Sequence, residues 1–161
     1  MKVKGIVAED FSNYKVPSMF ISTAKCDWKC CKEAGMDISV CQNAKLAQSP
    51  THEIDDMDIF NMYTKDPITK AVVIGGLEPM LQFDEVYHLL DIFRSNGVND
   101  DFVIYTGYYP KEIPREIKLL RGKNVIVKYG RYVPTLKRFP RFDKLLGVEL
   151  ASKNQFAERI E

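Results

Sequence analysis

Lys70-Ala-Val-Val-Ile-Gly75-Gly-Leu-Glu-Pro79 is an unbroken apolar run that stops at two glycines and an acidic residue before proline. A strand apolar on both faces belongs inside a parallel sheet covered by helices. Downstream the theme repeats. In Phe83 to Arg94, the residues Phe83, Val86, Tyr87, Leu89, Leu90 and Phe93 recur at helical spacing, and Asn96-Gly97 closes the segment. Asp101-Phe-Val-Ile-Tyr-Thr106 reads as a second buried strand, Pro110 to Leu120 as a helix ending near Gly122, and Asn124-Val-Ile-Val-Lys128 as a third strand. Upstream, Val3 to Ala8 and Val16 to Ser22 are β-branched and aromatic runs separated by the polar turn Asp10-Phe-Ser-Asn-Tyr14. Asp55 or Asp56 caps a helix through about Tyr63. Alternation at these intervals predicts an α/β fold with right-handed crossovers, a mainly parallel sheet and outer helices. Tyr129 to Lys144 reads as a loop, Gly147 to Ala151 as a last strand, and Ser152 to Glu161 as a tail or short helix.

With 161 residues and 45% apolar content, the chain has the material for one hydrophobic core, and a single domain over residues 1–161 is expected. A formal charge of +1 gives no global field toward nucleic acid or an anionic membrane. No run approaches the ~18 apolar residues of a membrane span, and the start lacks a signal-peptide pattern, so a cytoplasmic protein is expected.

The second upstream strand leads into Lys25-Cys26-Asp-Trp-Lys-Cys30-Cys31-Lys-Glu-Ala-Gly-Met-Asp-Ile-Ser-Val-Cys41-Gln-Asn43, which holds every cysteine of the chain. Such crowding suggests a soft-metal site on a long functional loop. In a reducing compartment disulfides are not expected. The spacing permits an iron–sulfur cluster, zinc, or thiols with a redox or packing role. Gly75-Gly76 at the carboxyl end of a buried strand is where parallel α/β folds bind ligands, although a plain strand-to-helix turn with a solvated Glu78 has the same sequence. Thr106-Gly107-Tyr108 has the same placement.

Taken together, C-x3-C with a later cysteine, followed by an apolar strand ending in Gly-Gly-x-Glu-Pro, resembles the radical S-adenosylmethionine enzymes. Within them, Cys41-Gln-Asn43, Tyr105-Thr-Gly-Tyr108, Gly130-Arg-Tyr132 and Ser152-Lys-Asn-Gln155 fall in the order found in the activating proteins of anaerobic ribonucleotide reductase. There are departures. The family's third cysteine position is Glu33 here, so Cys41 must replace it across an insertion. Leu77 is added between the glycines and Glu78, and Tyr129 stands where the family has Asp.

The resemblance implies a partial (βα) barrel of about five or six mainly parallel strands. It implies a [4Fe-4S] cluster on Cys26, Cys30 and Cys41, with Cys31 the rival for the second place. S-adenosylmethionine would fill the open iron, its amino group held by Gly75, Gly76 and Glu78, with Thr106 contributing a hydroxyl. The activity implied is reductive cleavage to a 5′-deoxyadenosyl radical that takes a hydrogen from a glycine of a glycyl-radical enzyme, with a flavodoxin or ferredoxin as electron donor. Such chemistry needs no acid–base pair, and His52 and His88 are expected to have no catalytic role. Because adjacent residues of an extended segment point apart, Cys31 is expected to face away from Cys30. Trp28 could shield the cluster, stack on adenine or simply pack. The stretch with Arg131, Lys137, Arg138, Arg141 and Lys144, interleaved with Tyr132, Phe139 and Phe142, could dock a protein, bind nucleic acid or be solvated. Two other readings stand beside the activase: a non-catalytic iron–sulfur or zinc module for electron transfer or assembly, and a radical enzyme acting on another substrate.

Overall fold

The computed structural model describes residues 1–136 and 141–161. Its sheet begins with β1 (Lys2–Asp10), which turns back into β2 (Ser18–Thr23). The cysteine segment follows, with the short helices α1 (Lys29–Ala34) and α2 (Ala44–Gln48), then β3 (His52–Glu53) and α3 (Asp56–Lys65). Next come β4 (Ala71–Gly75), α4 (Phe83–Ser95), β5 (Asp101–Tyr105), α5 (Pro114–Leu120) and β6 (Val125–Tyr129). The chain closes with β7 (Arg141–Asp143), β8 (Val148–Leu150) and β9 (Phe156–Ile160).

The order across the main sheet is β3-β1-β2-β4-β5-β6-β9. The central four, β2, β4, β5 and β6, are mutually parallel, and antiparallel β1 and β9 flank them. In-register partners such as Ile21, Ile74, Ile104 and Val127 share one face, which the helices cover. There Phe93 of α4 meets Phe60 of α3 and Phe102 of β5 edge-on, at centroid separations of 5.3 and 5.9 Å. Side-chain capping starts α3, where Met57 N donates to Asp55 Oδ1 at 2.8 Å. The opposite face, with Ala71, Val73, Val103 and Ile126, is covered by Tyr14 from the β1–β2 turn, by Leu146 before β8 and by Leu150 at its end.

The parallel strands and α3 and α4 lie where the apolar patterns predict them. Downstream of α4 the structure departs from expectation in three places. Ser152 to Glu161 is not a tail or helix throughout, because Phe156–Ile160 pairs antiparallel with β6 and closes that edge. The helix expected over Pro110 to Leu120 is broken: a 3-10 turn spans Pro110–Glu112, and α5 restarts at Pro114, whose ring suits a first helical turn and not an interior one. Within the stretch read as loop, Pro134–Leu136 forms a 3-10 turn and Arg141–Asp143 forms β7, whereas Lys137, Arg138 and Phe139 lie outside the described residues. Among the described residues no helix is long and apolar enough to cross a membrane.

Candidate metal centre

Because β2, β4, β5 and β6 are parallel, their carboxyl ends and the loops that follow meet at one end of the sheet. The cysteine segment lies there. Cys26 follows β2, Cys30 and Cys31 lie in α1, and Cys41 ends the 3-10 turn Ile38–Val40. All four thiols are free. Trp28 enters α1 in the left-handed conformation (φ 59°), which costs a non-glycine residue about 1–2 kcal/mol.

The helical conformation of Lys29–Ala34 changes the reading of Cys31. Neighbours on a helix are offset by about 100° and do not point oppositely. Cys31 is the buried thiol, 1% exposed, and lies within charge range of both Cys30 and Cys41. Cys26 is half-buried, accepts from Trp28 N at 3.4 Å and lies within charge range of Cys30. Burial pushes the Cys26 thiol up to about 11, and burial with the adjoining Cys30 and Cys41 pushes Cys31 up to about 12. A bound metal core would reverse that cost, since coordination favours thiolate.

Among the described residues no three His, Cys, Asp or Glu side chains converge as a ready-made site for a single ion. Thiolates of a cubane cluster each bind a different iron and do not need to meet at one point. An all-thiol donor set, unoxidised and gathered at the end of the sheet, fits an iron–sulfur cluster in chemistry. Cys26, Cys30 and Cys41 are the proposed holders, and Cys31 is placed to be one.

The glycine rim is more tightly built. Gly76 has φ +76°, and a Cβ there would approach Ser22 Cβ and Leu46 Cδ2 to 3.0 Å. It is therefore glycine both for its backbone and to let α2 lie against the sheet end. Gly75 O accepts from Thr23 Oγ1 at 3.1 Å. Glu78 is buried, 7% exposed. Its Oε1 accepts from Thr106 Oγ1 at 2.7 Å and Met80 N at 3.0 Å, and its Oε2 accepts from Gly107 N at 2.9 Å. Its own amide donates to Lys25 O at 2.7 Å, tying the rim to the start of the cysteine segment. Burial raises the Glu78 pKa, with the three donors opposing. Thr106 is thus brought to Glu78, with its hydroxyl directed at that carboxylate. A carboxylate offers about four acceptor positions, and three are taken, which leaves one on Oε2 for a cation.

A cleft of ≈ 480 Å³ adjoins the site, lined by Ala24, Lys25, Cys26, Asp27, Trp28, Ala47, Leu77 and Leu81. That volume falls in the ordinary range for a small-molecule ligand. The added Leu77 faces it. Neither histidine is near. His52 lies exposed on β3, and His88 pairs through Nδ1 with Asp56 at 2.6 Å on the helical side.

Two basic residues also lie at this end, and only Arg131, in Gly130-Arg-Tyr132, belongs to a motif. Lys128, next to last in β6, donates to Gly130 O at 3.2 Å and is pushed down to about 8 by desolvation, against the opposing charges of Glu78 and Cys30. Its position in an apolar strand pattern hid it. Arg131, in the stretch read as a protein-docking, nucleic-acid-binding or solvated loop, is 9% exposed and is committed inward to Glu33, Glu112 and Gly107 O. Of that basic stretch, Arg141, Phe142 and Lys144 are exposed.

The geometry is that of an α/β protein carrying a thiol cluster at the carboxyl end of its parallel strands, an iron–sulfur protein. A family model described as "4Fe-4S single cluster domain" matches residues 18–143, most of the chain, and the protein belongs to that family. No curated protein and no solved structure matches it.

Proposed function

We propose that this protein is a radical S-adenosylmethionine enzyme of the glycyl-radical-enzyme activating type, built on a partial barrel whose wall is β2, β4, β5 and β6. Anaerobic ribonucleotide reductase is the partner suggested by the order of its motifs, and a flavodoxin or ferredoxin is the electron donor. The observation that carries the reading is Glu78: a buried carboxylate with one acceptor position left, within charge range of Cys26, beside a cleft of ligand size. An ammonium group on a ligand suits that position, and charge-assisted hydrogen bonds of this kind are about twice as strong as neutral ones. Cys26, Cys30 and Cys41 would hold the cluster, which supplies the electron that cleaves S-adenosylmethionine to the 5′-deoxyadenosyl radical. The chain's own work is to hold the ligand at Glu78 and the glycine rim, to bury the reacting end under α2 and Trp28, and to keep water away.

Anaerobic reconstitution, reduction and addition of S-adenosylmethionine test this. The expected product is 5′-deoxyadenosine. Glu78→Gln should keep the iron and lose about 1.5–3 kcal/mol of S-adenosylmethionine affinity, the loss expected for a charge-assisted contact. Iron uptake with no cleavage would favour a non-catalytic iron–sulfur module. One observation supports that second reading: Cys31 lies within charge range of Cys30 and Cys41, so four thiolates are available and every iron could be capped.

A further inference from the structure

The helix that carries Cys30 and Cys31 has little of its own to hold it. α1 is six residues long and its N-cap makes no side-chain hydrogen bond. Cys31 is its one buried residue; Lys32, Glu33 and Ala34 are exposed. A helix this short does not persist without outside contacts, and here those contacts are polar.

Arg131 supplies the centre. Its Nε donates to Glu33 Oε2, its Nη1 donates to Glu112 Oε2 at 2.7 Å and Gly107 O at 3.1 Å, and its Nη2 donates to Glu112 Oε1 at 3.1 Å. Four of the five guanidinium hydrogens are thereby used. The group also lies over the Tyr109 ring, 4.7 Å from its centroid, and Asn154 Nδ2 fixes Arg131 O at 2.8 Å. Glu112 has a second tie to the helix, accepting from Lys29 Nζ at 2.5 Å. Asp27 completes the set: its Oδ1 accepts from Lys29 N at 3.1 Å and its Oδ2 from Tyr108 Oη at 2.7 Å.

We propose that Arg131, acting through Glu33 and Glu112, is a positioning residue that latches the cysteine helix to the β5 and β6 ends of the sheet and so governs how firmly Cys30 and Cys31 are presented to the cluster. The role in cluster retention rests on the iron–sulfur reading; the latching of the helix does not. The network joins parts of the chain 98 residues apart at its longest step. Planar, forked guanidinium is the group that can serve two carboxylates and a carbonyl together, which an ammonium cannot do.

The test has two readouts. In the cluster-free, reduced full-length chain, alkylation by iodoacetamide, located residue by residue from fragment ions because Cys30 and Cys31 share a peptide, reports the exposure of each thiol. Glu33→Gln and Arg131→Met should speed labelling of Cys31 by roughly tenfold or more, as local opening does, while Cys26, on the other side of Trp28, keeps its wild-type rate. Glu33→Gln should leave the urea midpoint unchanged, since it cuts the link at the helix and spares Arg131–Glu112. In reconstituted protein both variants should surrender iron to a chelator faster than wild type, and Arg131→Lys, which keeps the charge without the fork, should also be faster. Wild-type labelling rates at Cys31 in both variants would overturn the latch. So would equal acceleration at Cys26 and Cys31 with a lowered urea midpoint, which marks global destabilisation. If the wild type takes up no iron, the iron–sulfur reading fails, and the labelling result still decides the latch.

Discussion

The glycine rim after β4 and the cysteine segment after β2 face the same space and are built differently. The rim grows directly out of a fully buried strand, and Glu78 is locked by donors from the neighbouring strand end. The cysteine segment runs through two short helices and a 3-10 turn whose side chains are largely exposed, and distant polar groups hold it. Damage to the rim should therefore lower the stability of the whole protein. Damage to the cysteine segment should abolish metal binding and leave the fold standing.

Cysteine substitution breaks the comparison most sharply. Cys26→Ala, Cys30→Ala and Cys41→Ala should each eliminate the cluster absorbance while the far-ultraviolet circular dichroism stays that of wild type. Cys31→Ala should retain the cluster if three thiolates hold it. Because Cys31 is buried within charge range of Cys30 and Cys41, loss of the cluster in all four variants would identify a four-thiolate site with no open iron.

Gly76→Ala should act in the opposite sense, lowering global stability by roughly 2–5 kcal/mol, the sum of left-handed backbone strain and overpacking against Ser22 and Leu46. Urea unfolding of the cluster-free chain checks it, and an unchanged midpoint would mean that α2 shifts away freely.

The difference between the two regions also decided what was legible. Continuous apolar runs announced β4, β5 and β6, and the placement of Gly75-Gly76 at a buried strand end follows from that alone. The four cysteines marked the metal site by their proximity in sequence. The arrangement of Cys31 was not legible, because a six-residue helix with one buried side chain has no periodicity to read. Arg131 and Glu112 were hidden for another reason: their partners are 98 and 83 residues away at the longest steps, and charge alone does not separate a buried latch from a solvated loop. β9 was missed because Phe156–Ile160 owes its extended form to pairing with β6 more than to its own alternation.

The smallest expected effect is in pH dependence. Hydrogen bonding to Arg131 holds the Glu112 carboxyl down at about 2, against an ordinary value of 4.5. A depressed folded-state pKa means that the stabilisation is fully present above about pH 4.5 and is lost as pH falls toward 2. After allowance for solvent screening it amounts to ~1 kcal/mol. Glu112→Gln should thus be less stable than wild type at pH 6, and the gap should narrow steadily below pH 4.5. A gap that stays constant would mean that Glu112 acts by packing and not by charge.

If three cysteines hold the cluster, as proposed, one iron is left open for a ligand held at Glu78. Electron paramagnetic resonance of the reduced, reconstituted protein, recorded with and without S-adenosylmethionine, tests it most directly, because a ligand on the open iron alters the electronic environment of the cluster. The g values should change on addition of S-adenosylmethionine. Identical spectra at saturating ligand would contradict it and leave a closed, four-thiolate iron–sulfur module.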